Sequence, residues 1–360
     1  MIVVFISVRA YEQDFRKFLL EALRAEGCET WHVKVGRRNV LTGAGGNETF
    51  DGIGGLLALI RRLRAIGARK NNVYVDTTGA IMPIRSMLFR LALRTGTWCF
   101  DVYDNLAYNY RGFRGLKARL SIWALDRLSA ITIVLSAETL RLFPVAHHLD
   151  NAWDIPRHEG EHGANRNLVI LSTIDERFDF DFVSEMARLS PERRFGIHGY
   201  VLHDDPAIAQ RLADLCAQHP NVSFRGRYRF DDVPEIVRPF SIGLTPYADT
   251  RMTEFINPDK YYLFLQAGLE VISTDIPQAR RMMDRIHIAA TPADAVAIAR
   301  RIEAEPEFRK NSQPAGDLTW SRRARDFIEI LRVANRATGK CDVAPLSAKP
   351  TPRSAQPERL

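Results

Sequence analysis

A lysine at the start of an apolar helix is the residue of this chain best suited to chemistry. Pro258 precedes Lys260, an apolar run follows, and Gly268 separates that run from a strand pattern. Proline suits the first turn of a helix and glycine its C-terminal cap, so the pattern predicts a loop, a helix and a buried strand. A helix N-terminus beside a lysine attracts phosphates. Asn257, ahead of the proline, either caps the helix or contacts a ligand hydroxyl.

Carboxylates are the second group of candidates. Asp101 and Asp104 lie in FDVYDN at the end of an apolar strand pattern, and Asp76 follows another strand. The carboxyl ends of parallel strands line the ligand cleft of an α/β protein. A carboxylate there can accept a proton from a hydroxyl group. The alternative is a structural carboxylate that fixes its loop by local hydrogen bonds, which Asp101 suits better than Asp104.

The metal-ligating residues lack metal-site spacing. His147 and His148 have no spaced third ligand, and the four cysteines include no CxxC pair. Asp179 and Asp181 spell DxD, but at a predicted helix start, where acidic residues favour the helix dipole. We therefore predict no metal and no cofactor, and the scattered cysteines fit a reducing compartment. The apolar start MIVVFIS lacks a basic region and predicts a first strand rather than a signal peptide, which favours a cytoplasmic protein.

The elements that position these residues alternate between strand and helix in both halves of the 360-residue chain. In the first half, 1–154, the strand patterns are Ile2–Ser7, Thr30–Val33, Asn72–Val75, Trp98–Val102 and Ile131–Leu135. Helical patterns lie between them at Glu12–Ala25, Ile53–Ile66, Ile81–Arg94 and Gly115–Leu128. Short apolar runs separated by longer periodic segments predict a parallel sheet covered by helices.

The same alternation resumes after a polar segment, 155–167, which we interpret as a linker. In the second half, 168–336, the strand patterns are Leu168–Leu171, Phe195–His198, Val222–Phe224, Ser241–Thr245 and Glu270–Ser273. The helical patterns are Phe178–Leu189, Pro206–Gln218, Asp231–Arg238, Lys260–Gln266, Pro292–Ala304 and Ser321–Ala334. Residues 337–360 are polar and proline-rich and predict a disordered tail. The chain is thus predicted to form two Rossmann-like domains facing a cleft, with a closing C-terminal helix.

The lysine segment, NPDKYYLFLQAGLEVISTD, resembles a signature of GT-B glycosyltransferases that use nucleotide-sugar donors, N-P-x-K-x-x-E-Y-x-A-x-G-x-P-V-V-x-T. The matching positions are Asn257, Pro258, Lys260, Ala267, Gly268, Val271 and Thr274. Further segments resemble the same family, among them VILSTIDERFD, NVSFRGRYRFDDVP, LTWSRRA, FDVYDNLAY and DNAWD. The resemblance covers about 97–330, and the xanthan-type glucuronosyltransferases are a plausible near neighbour.

This resemblance implies a role for each candidate. Lys260 would hold the donor diphosphate, and Asn257 would touch the donor sugar. Tyr228 and Arg229 would border the base, and Tyr247 would lie at the same sheet edge. Among the carboxylates, Asp104 would be the base of an inverting reaction, with Asp101 as the second candidate. If none of Asp104, Asp101 and Asp76 is the base, a retaining reaction is the alternative.

The chain departs from the family pattern at two positions. Leu263 occupies the place of the glutamate that binds ribose hydroxyls, so Glu254 would have to supply that contact. Ser172 replaces the glycine that lets the backbone approach the donor closely. Both departures leave open a catalytically silent sugar-nucleotide-binding subunit. A GT-B-fold nucleotide-sugar epimerase is the alternative enzyme class.

Charge indicates the partners. The chain carries a net charge of +7, and residues 56–150 contain fourteen Lys and Arg against six Asp and Glu. Three helices in that region mix arginines with apolar and aromatic residues, which suits an anionic membrane surface. We expect a lipid-linked oligosaccharide acceptor at the inner face of the plasma membrane, and no nucleic acid, because no recognition motif for it is present. The glycines Gly43, Gly45 and Gly46 predict a mobile loop near the acceptor.

Overall fold

The structure, a computed structural model, describes residues 1–67, 72–78, 82–94, 96–102, 112–155, 167–310 and 316–337. These residues form two α/β units, each with a parallel sheet covered by helices. The predicted fold class is confirmed. The proposed linker and tail lie almost wholly outside the described residues, so the predicted domain boundaries stay predictions.

The described part of the amino half forms an eight-stranded sheet in the order β4-β3-β2-β1-β5-β6-β7-β8. Its strands are β1 (Ile2–Ser7), β2 (Glu29–Lys34), β3 (Arg38–Gly43), β4 (Gly46–Asp51), β5 (Asn72–Asp76), β6 (Thr97–Val102), β7 (Ile131–Val134) and β8 (His147–His148). The helices are α1 (Lys17–Ala25), α2 (Gly52–Gly67), α3 (Pro83–Ala92) and α4 (Gly112–Leu128). The strands that the sequence predicted pair in parallel with one another, because at least one helix lies between each of them and the next.

The described part of the carboxyl half forms a six-stranded parallel sheet in the order β11-β10-β9-β12-β13-β14. Its strands are β9 (Leu168–Ile174), β10 (Phe195–Val201), β11 (Val222–Phe224), β12 (Ile242–Thr245), β13 (Glu270–Thr274) and β14 (His287–Ala289). The helices are α5 (Phe180–Leu189), α6 (Pro206–Gln218), α7 (Val233–Val237), α8 (Asp259–Ala267), α9 (Pro277–Arg281), α10 (Pro292–Ala304) and α11 (Trp320–Ala337). The sequence missed the short elements β14 and α9.

The glycine-rich segment that predicted a mobile loop is an antiparallel hairpin of β3 and β4, and that prediction was wrong. Gly43 pairs with Gly46 across a two-residue turn. Gly43 lies over the Trp31 ring, where a Cβ would come within 2.4 Å of the ring. The hairpin forms one side of the amino sheet: β4 is the outer edge strand, and β3 lies between β4 and β2.

The final helix, α11, closes the molecule by crossing back onto the amino half. Arg325 Nε lies 3.0 Å from Glu26 Oε1 at the end of α1, and the Phe327 ring packs 6.4 Å from Phe5 of β1. At the start of α11, Trp320 packs edge-on against Phe15, with ring centroids 5.2 Å apart. Aromatic contacts between the two halves therefore fix how the sheets face each other.

None of the described helices combines the length and the apolar character that crossing a membrane would require.

Candidate donor site

The carboxyl edges of the two sheets meet at Asn257. Its side-chain amide donates to the carbonyl of Leu135, directly after β7, at 2.8 Å, and to Asp150 Oδ1 at 2.9 Å. In return, the Asn151 amide donates to the Asn257 carbonyl at 2.7 Å. Asn257 is buried, so its amide joins the two halves of the molecule.

The helix-capping alternative for Asn257 was therefore wrong. Pro258 occupies the N-cap position of α8, and no side chain caps that helix. Asn257 therefore lies one residue before the N-cap, and its side-chain amide bonds to the amino half rather than to the first turn of α8. A contact between Asn257 and a donor sugar stays a prediction.

Lys260 lies in the first turn of α8, and its side chain is only 11% exposed. Its Nζ donates to Asp259 Oδ2 at 2.7 Å and lies 5.7 Å from the centre of the Trp153 ring. Burial is the largest single influence and lowers the pKa of the Lys260 ammonium. The charge and hydrogen bond of Asp259, together with Tyr228 and Tyr247, outweigh it, so the net pKa is raised. The ammonium is thus permanently charged at neutral pH, and a carboxylate neutralises it locally.

The charge of the Lys260 ammonium acts on the hydroxyl groups of two tyrosines, Tyr228 and Tyr247. Burial raises the pKa of the Tyr228 hydroxyl, and Lys260 lowers it by charge and by a side-chain hydrogen bond. Burial also raises the pKa of Tyr247, whereas Arg177 and Lys260 lower it. The predicted donor residues Tyr228, Tyr247 and Lys260 are therefore brought together at the carboxyl edge of the second sheet.

Arg177 is a residue that the sequence analysis did not single out. It follows β9, and its guanidinium Nε donates to both Asp175 oxygens at 3.0 Å. The Arg177 carbonyl accepts from the Ala248 amide at 2.8 Å, and its charge lowers the pKa of Tyr247, so this second cation lies beside that tyrosine. The available signal was its position, since Arg177 ends the IDER segment directly after the first strand of the second half.

Two other predicted donor residues, Arg229 and Glu254, are more exposed to solvent than Lys260. The Arg229 side chain is 81% exposed, and its Nη2 lies 3.6 Å from Asp231 Oδ2. Glu254 is partly exposed, 3.9 Å from Arg141 of the amino half. This places Glu254 at the rim between the two halves, with Arg141 as its neighbour.

Leu263 is fully buried in the core shared by both halves, so the polar contact to ribose that the family makes at this position is absent. A ribose contact must come from another residue, and the role of Glu254 stays a prediction.

Ser172 lies inside β9 beside Gly199 of β10. A Cβ on Gly199 would lie 1.8 Å from the Ser172 carbonyl oxygen, and the glycine φ is +153°. The backbones of Ser172 and Gly199 therefore approach each other closely, and a close approach of Ser172 to a donor stays a prediction. We expect Gly199→Ala to lower the free energy of unfolding by about 2 kcal/mol, because backbone must move.

Chemical denaturation checks this prediction, with Gly45→Ala as the matched control. A Cβ on Gly45 meets no atom within 4 Å. Equal stability of the two variants would contradict the packing argument at Gly199.

Asp101 is buried in a bidentate ion pair with Arg16. The guanidinium Nε donates to Oδ2 at 2.8 Å and Nη2 donates to Oδ1 at 2.7 Å. Both side chains are almost fully buried. A proton acceptor needs access to its substrate, so this geometry favours the structural alternative for Asp101 over a catalytic role.

Asp76 is also buried and bonded. Its Oδ1 accepts from the amide and the hydroxyl of Thr78 at 2.8 Å, and its Oδ2 accepts from the Ser86 hydroxyl. These bonds tie the end of β5 to Thr78 and to Ser86 of α3. Asp104, the other predicted base, lies outside the described residues, so its role stays a prediction.

Among the described residues, no group of three or more His, Cys, Asp or Glu is placed to hold a metal ion. Asp179 accepts from the backbone N–H of Phe182 at 2.9 Å and caps α5, as its position at a helix start predicts. Metal-independence of the donor site remains a prediction.

Comparison with solved structures defines the fold. Sucrose-phosphate synthase from Thermosynechococcus elongatus matches over 93% of this chain and 99% of its own, with a TM-score of 0.68 and 12% identity. TarM of S. aureus, solved with fondaparinux, α-GlcNAc-glycerol and UDP, matches over 82% of this chain with a TM-score of 0.57 and 11% identity. The chain has the GT-B fold of these glycosyltransferases.

Sequence comparison adds one relative. A putative teichuronic acid biosynthesis glycosyltransferase, TuaH of Bacillus subtilis (strain 168), is 28% identical over 115 residues. That match spans 32% of this chain and 28% of the relative, and the chain covers 64% of TarM. No protein-family model matches the sequence.

Proposed function

We propose that this protein is a glycosyltransferase that moves a sugar from a nucleotide diphosphate, most simply UDP, to a saccharide acceptor of a bacterial surface polysaccharide. The observation that carries the proposal is the ammonium of Lys260, held in the first turn of α8 between the facing sheet edges. Negative charge grows on the diphosphate as the glycosidic bond breaks, and a fixed cation stabilises that transition state. The UDP bound in TarM and the role named for TuaH support the same chemistry.

Ligand screening tests the nucleotide. UDP, GDP and TDP should be compared by calorimetry and by thermal shift, because a ligand that binds the native state raises its apparent stability. We expect UDP to bind and to raise the melting temperature more than GDP or TDP. Failure of all three nucleotides to bind would overturn the proposal, and preference for another base would correct the donor.

We further propose that the transfer inverts the sugar configuration, with Asp104 as the base that accepts the acceptor proton. An inverting transfer needs a carboxylate of this kind in the cleft, and Asp101 and Asp76 are engaged in buried bonds. Asp104→Asn should reduce UDP release during transfer by about two orders of magnitude, with UDP affinity unchanged. Unchanged turnover would remove Asp104 from the mechanism.

A catalytically silent binding subunit is the second candidate. Leu263 in place of a ribose ligand and the neutralising contact of Asp259 to Lys260 favour it. Nucleotide binding without sugar transfer or donor hydrolysis would support this reading. An epimerase would instead interconvert sugar isomers without net UDP release, so product analysis separates the three functions.

The acceptor and the location complete the proposal. We propose a lipid-linked saccharide acceptor at the inner face of the plasma membrane, because residues 56–150 carry fourteen Lys and Arg against six Asp and Glu. A positively charged surface accumulates on anionic lipid. Transfer to lipid-linked but not to free saccharide would support this acceptor class.

A further inference from the structure

An apolar surface that no element of the described residues covers lies on α3 and α4. On α3, side chains at helical spacing point outward, and Ile84 is 73% exposed. The others on this face are Met87, Leu88 and Leu91. On α4, Phe113 is 81% and Trp123 is 59% exposed, with Leu116 and Leu120 between them. Contiguous exposed apolar side chains on a monomer mark an interaction site.

The two helices enclose an apolar groove. Its cavity volume is about 330 Å³, with Pro83 and Met87 on one side and Phe113, Leu116 and Leu120 on the other. Exposed apolar side chains thus form one continuous patch rather than separate positions. We call this patch the α3–α4 face.

Positive charge surrounds the α3–α4 face. Arg114, Lys117, Arg119 and Arg127 of α4 are all exposed, and Lys117 also borders the groove. The acidic residue of α4, Asp126, is occupied because its Oδ1 accepts from the Thr132 hydroxyl at 2.6 Å. Apolar side chains with Lys and Arg beside them are complementary to an anionic lipid surface, where acyl chains lie beneath charged headgroups.

The third basic helix, α2, differs from these two. Its Leu59 and Leu63 are buried in the core. Arg62 pairs with Glu48 of the β3–β4 hairpin at 2.9 Å, and Arg64 donates to the carbonyl of Ala92 at 2.9 Å. Its charges are therefore partly engaged within the protein. Arg85 and Arg90 of α3 are engaged too, so the exposed basic side chains beside the apolar face belong to α4.

The α3–α4 face also reaches the cleft. A helix that follows a parallel strand runs back along the sheet, so its N-terminus lies at the carboxyl edge. α3 follows β5 and α4 follows β6, which places Pro83 and Phe113 near that edge. The same edge contacts Asn257 next to the lysine helix.

We propose that the α3–α4 face inserts into the headgroup region of an anionic phospholipid bilayer and orients the cleft toward it. Phe113 and Trp123 enter the lipid, and the surrounding basic residues contact anionic headgroups. The assignment of an acceptor to this membrane rests on the proposed function, but lipid binding itself is measured without donor or acceptor.

Vesicle flotation tests the surface with the full chain. Vesicles of phosphatidylcholine with about 30% phosphatidylglycerol are compared with pure phosphatidylcholine, at low and high salt. We expect binding to the anionic vesicles that weakens with salt. The Leu120→Ser/Trp123→Ser variant should bind at least ten-fold less, with an unchanged melting temperature. Leu57→Ser on α2, also at an exposed leucine, is the matched control and should bind as wild type does.

Three outcomes would overturn the proposal. The first is wild-type binding by the double variant, and the second is equal loss in the α2 control. The third is a wild-type dimer in light scattering that the double variant converts to a monomer without any vesicle binding, which would make this face an interface between copies. Loss of nucleotide binding alone would sink the proposed function and leave the lipid result standing.

Discussion

Lys260→Met is expected to lower UDP release from a nucleotide-sugar donor by about two to three orders of magnitude and to weaken UDP binding. Removing one fixed donor from a developing oxyanion typically has an effect of that size. Methionine keeps most of the aliphatic stem of lysine, so the substitution removes mainly the charge, which lies 5.7 Å from the centre of the Trp153 ring. Donor hydrolysis and calorimetric UDP affinity measure the two effects.

Asp259, the partner of Lys260, provides a second test of the diphosphate role. In Lys260→Met, its carboxylate loses the ammonium that it contacts at 2.7 Å and is left facing the diphosphate. Adding Asp259→Asn should therefore recover part of the UDP affinity, because like charges at close range repel. Arg300→Ala on α10 removes one distant surface charge and controls for net charge. Wild-type kinetics in Lys260→Met would exclude the diphosphate role.

The fold was predictable because local signals mark its elements. Pro206–Gln218 and Pro292–Ala304 were predicted with the observed bounds. In each case an N-cap residue, Asp205 or Thr291, accepts from the backbone of the first turn, and a proline follows it at the first helical position. Continuous apolar runs marked the central strands, which are buried on both faces.

The hairpin was missed for the opposite reason. β4 lies at the edge of the sheet and carries Asn47, Glu48 and Thr49, so it lacks an apolar period. Glycines in such a segment predict a loop as readily as a hairpin turn. Its place is decided by Trp31 packing over Gly43, a contact that local pattern does not encode.

The site was predictable only in part. Lys260, Tyr228 and Tyr247 were found because a motif marks the sheet edge to which they belong. The partners of the other candidates are distant in sequence: Asn257 bonds to Leu135 and Asn151, and Asp101 pairs with Arg16. Such pairs form only when the sheets and their connections are complete. The hydrophobic periodicity of the sequence therefore does not predict them.

The pair of Arg16 and Asp101 leads to the second large effect. Arg16→Met should lower the free energy of unfolding by about 3–5 kcal/mol, because it leaves the Asp101 carboxylate buried without its cation. The melting temperature should fall by about 10 °C. Denaturant unfolding followed by circular dichroism measures the change, and Arg322→Met on α11, an exposed arginine paired to Asp326, is the control.

A double substitution separates the structural from the catalytic role of Asp101. Arg16→Met/Asp101→Leu replaces both charges by apolar groups, and such replacement of a buried ion pair is often neutral or stabilising. We expect its stability to return to within about 1 kcal/mol of wild type and its UDP release per folded molecule to be retained. The double variant has no carboxylate at position 101. A stable but inactive protein would therefore show that Asp101 takes part in the reaction, and would refute a purely structural role.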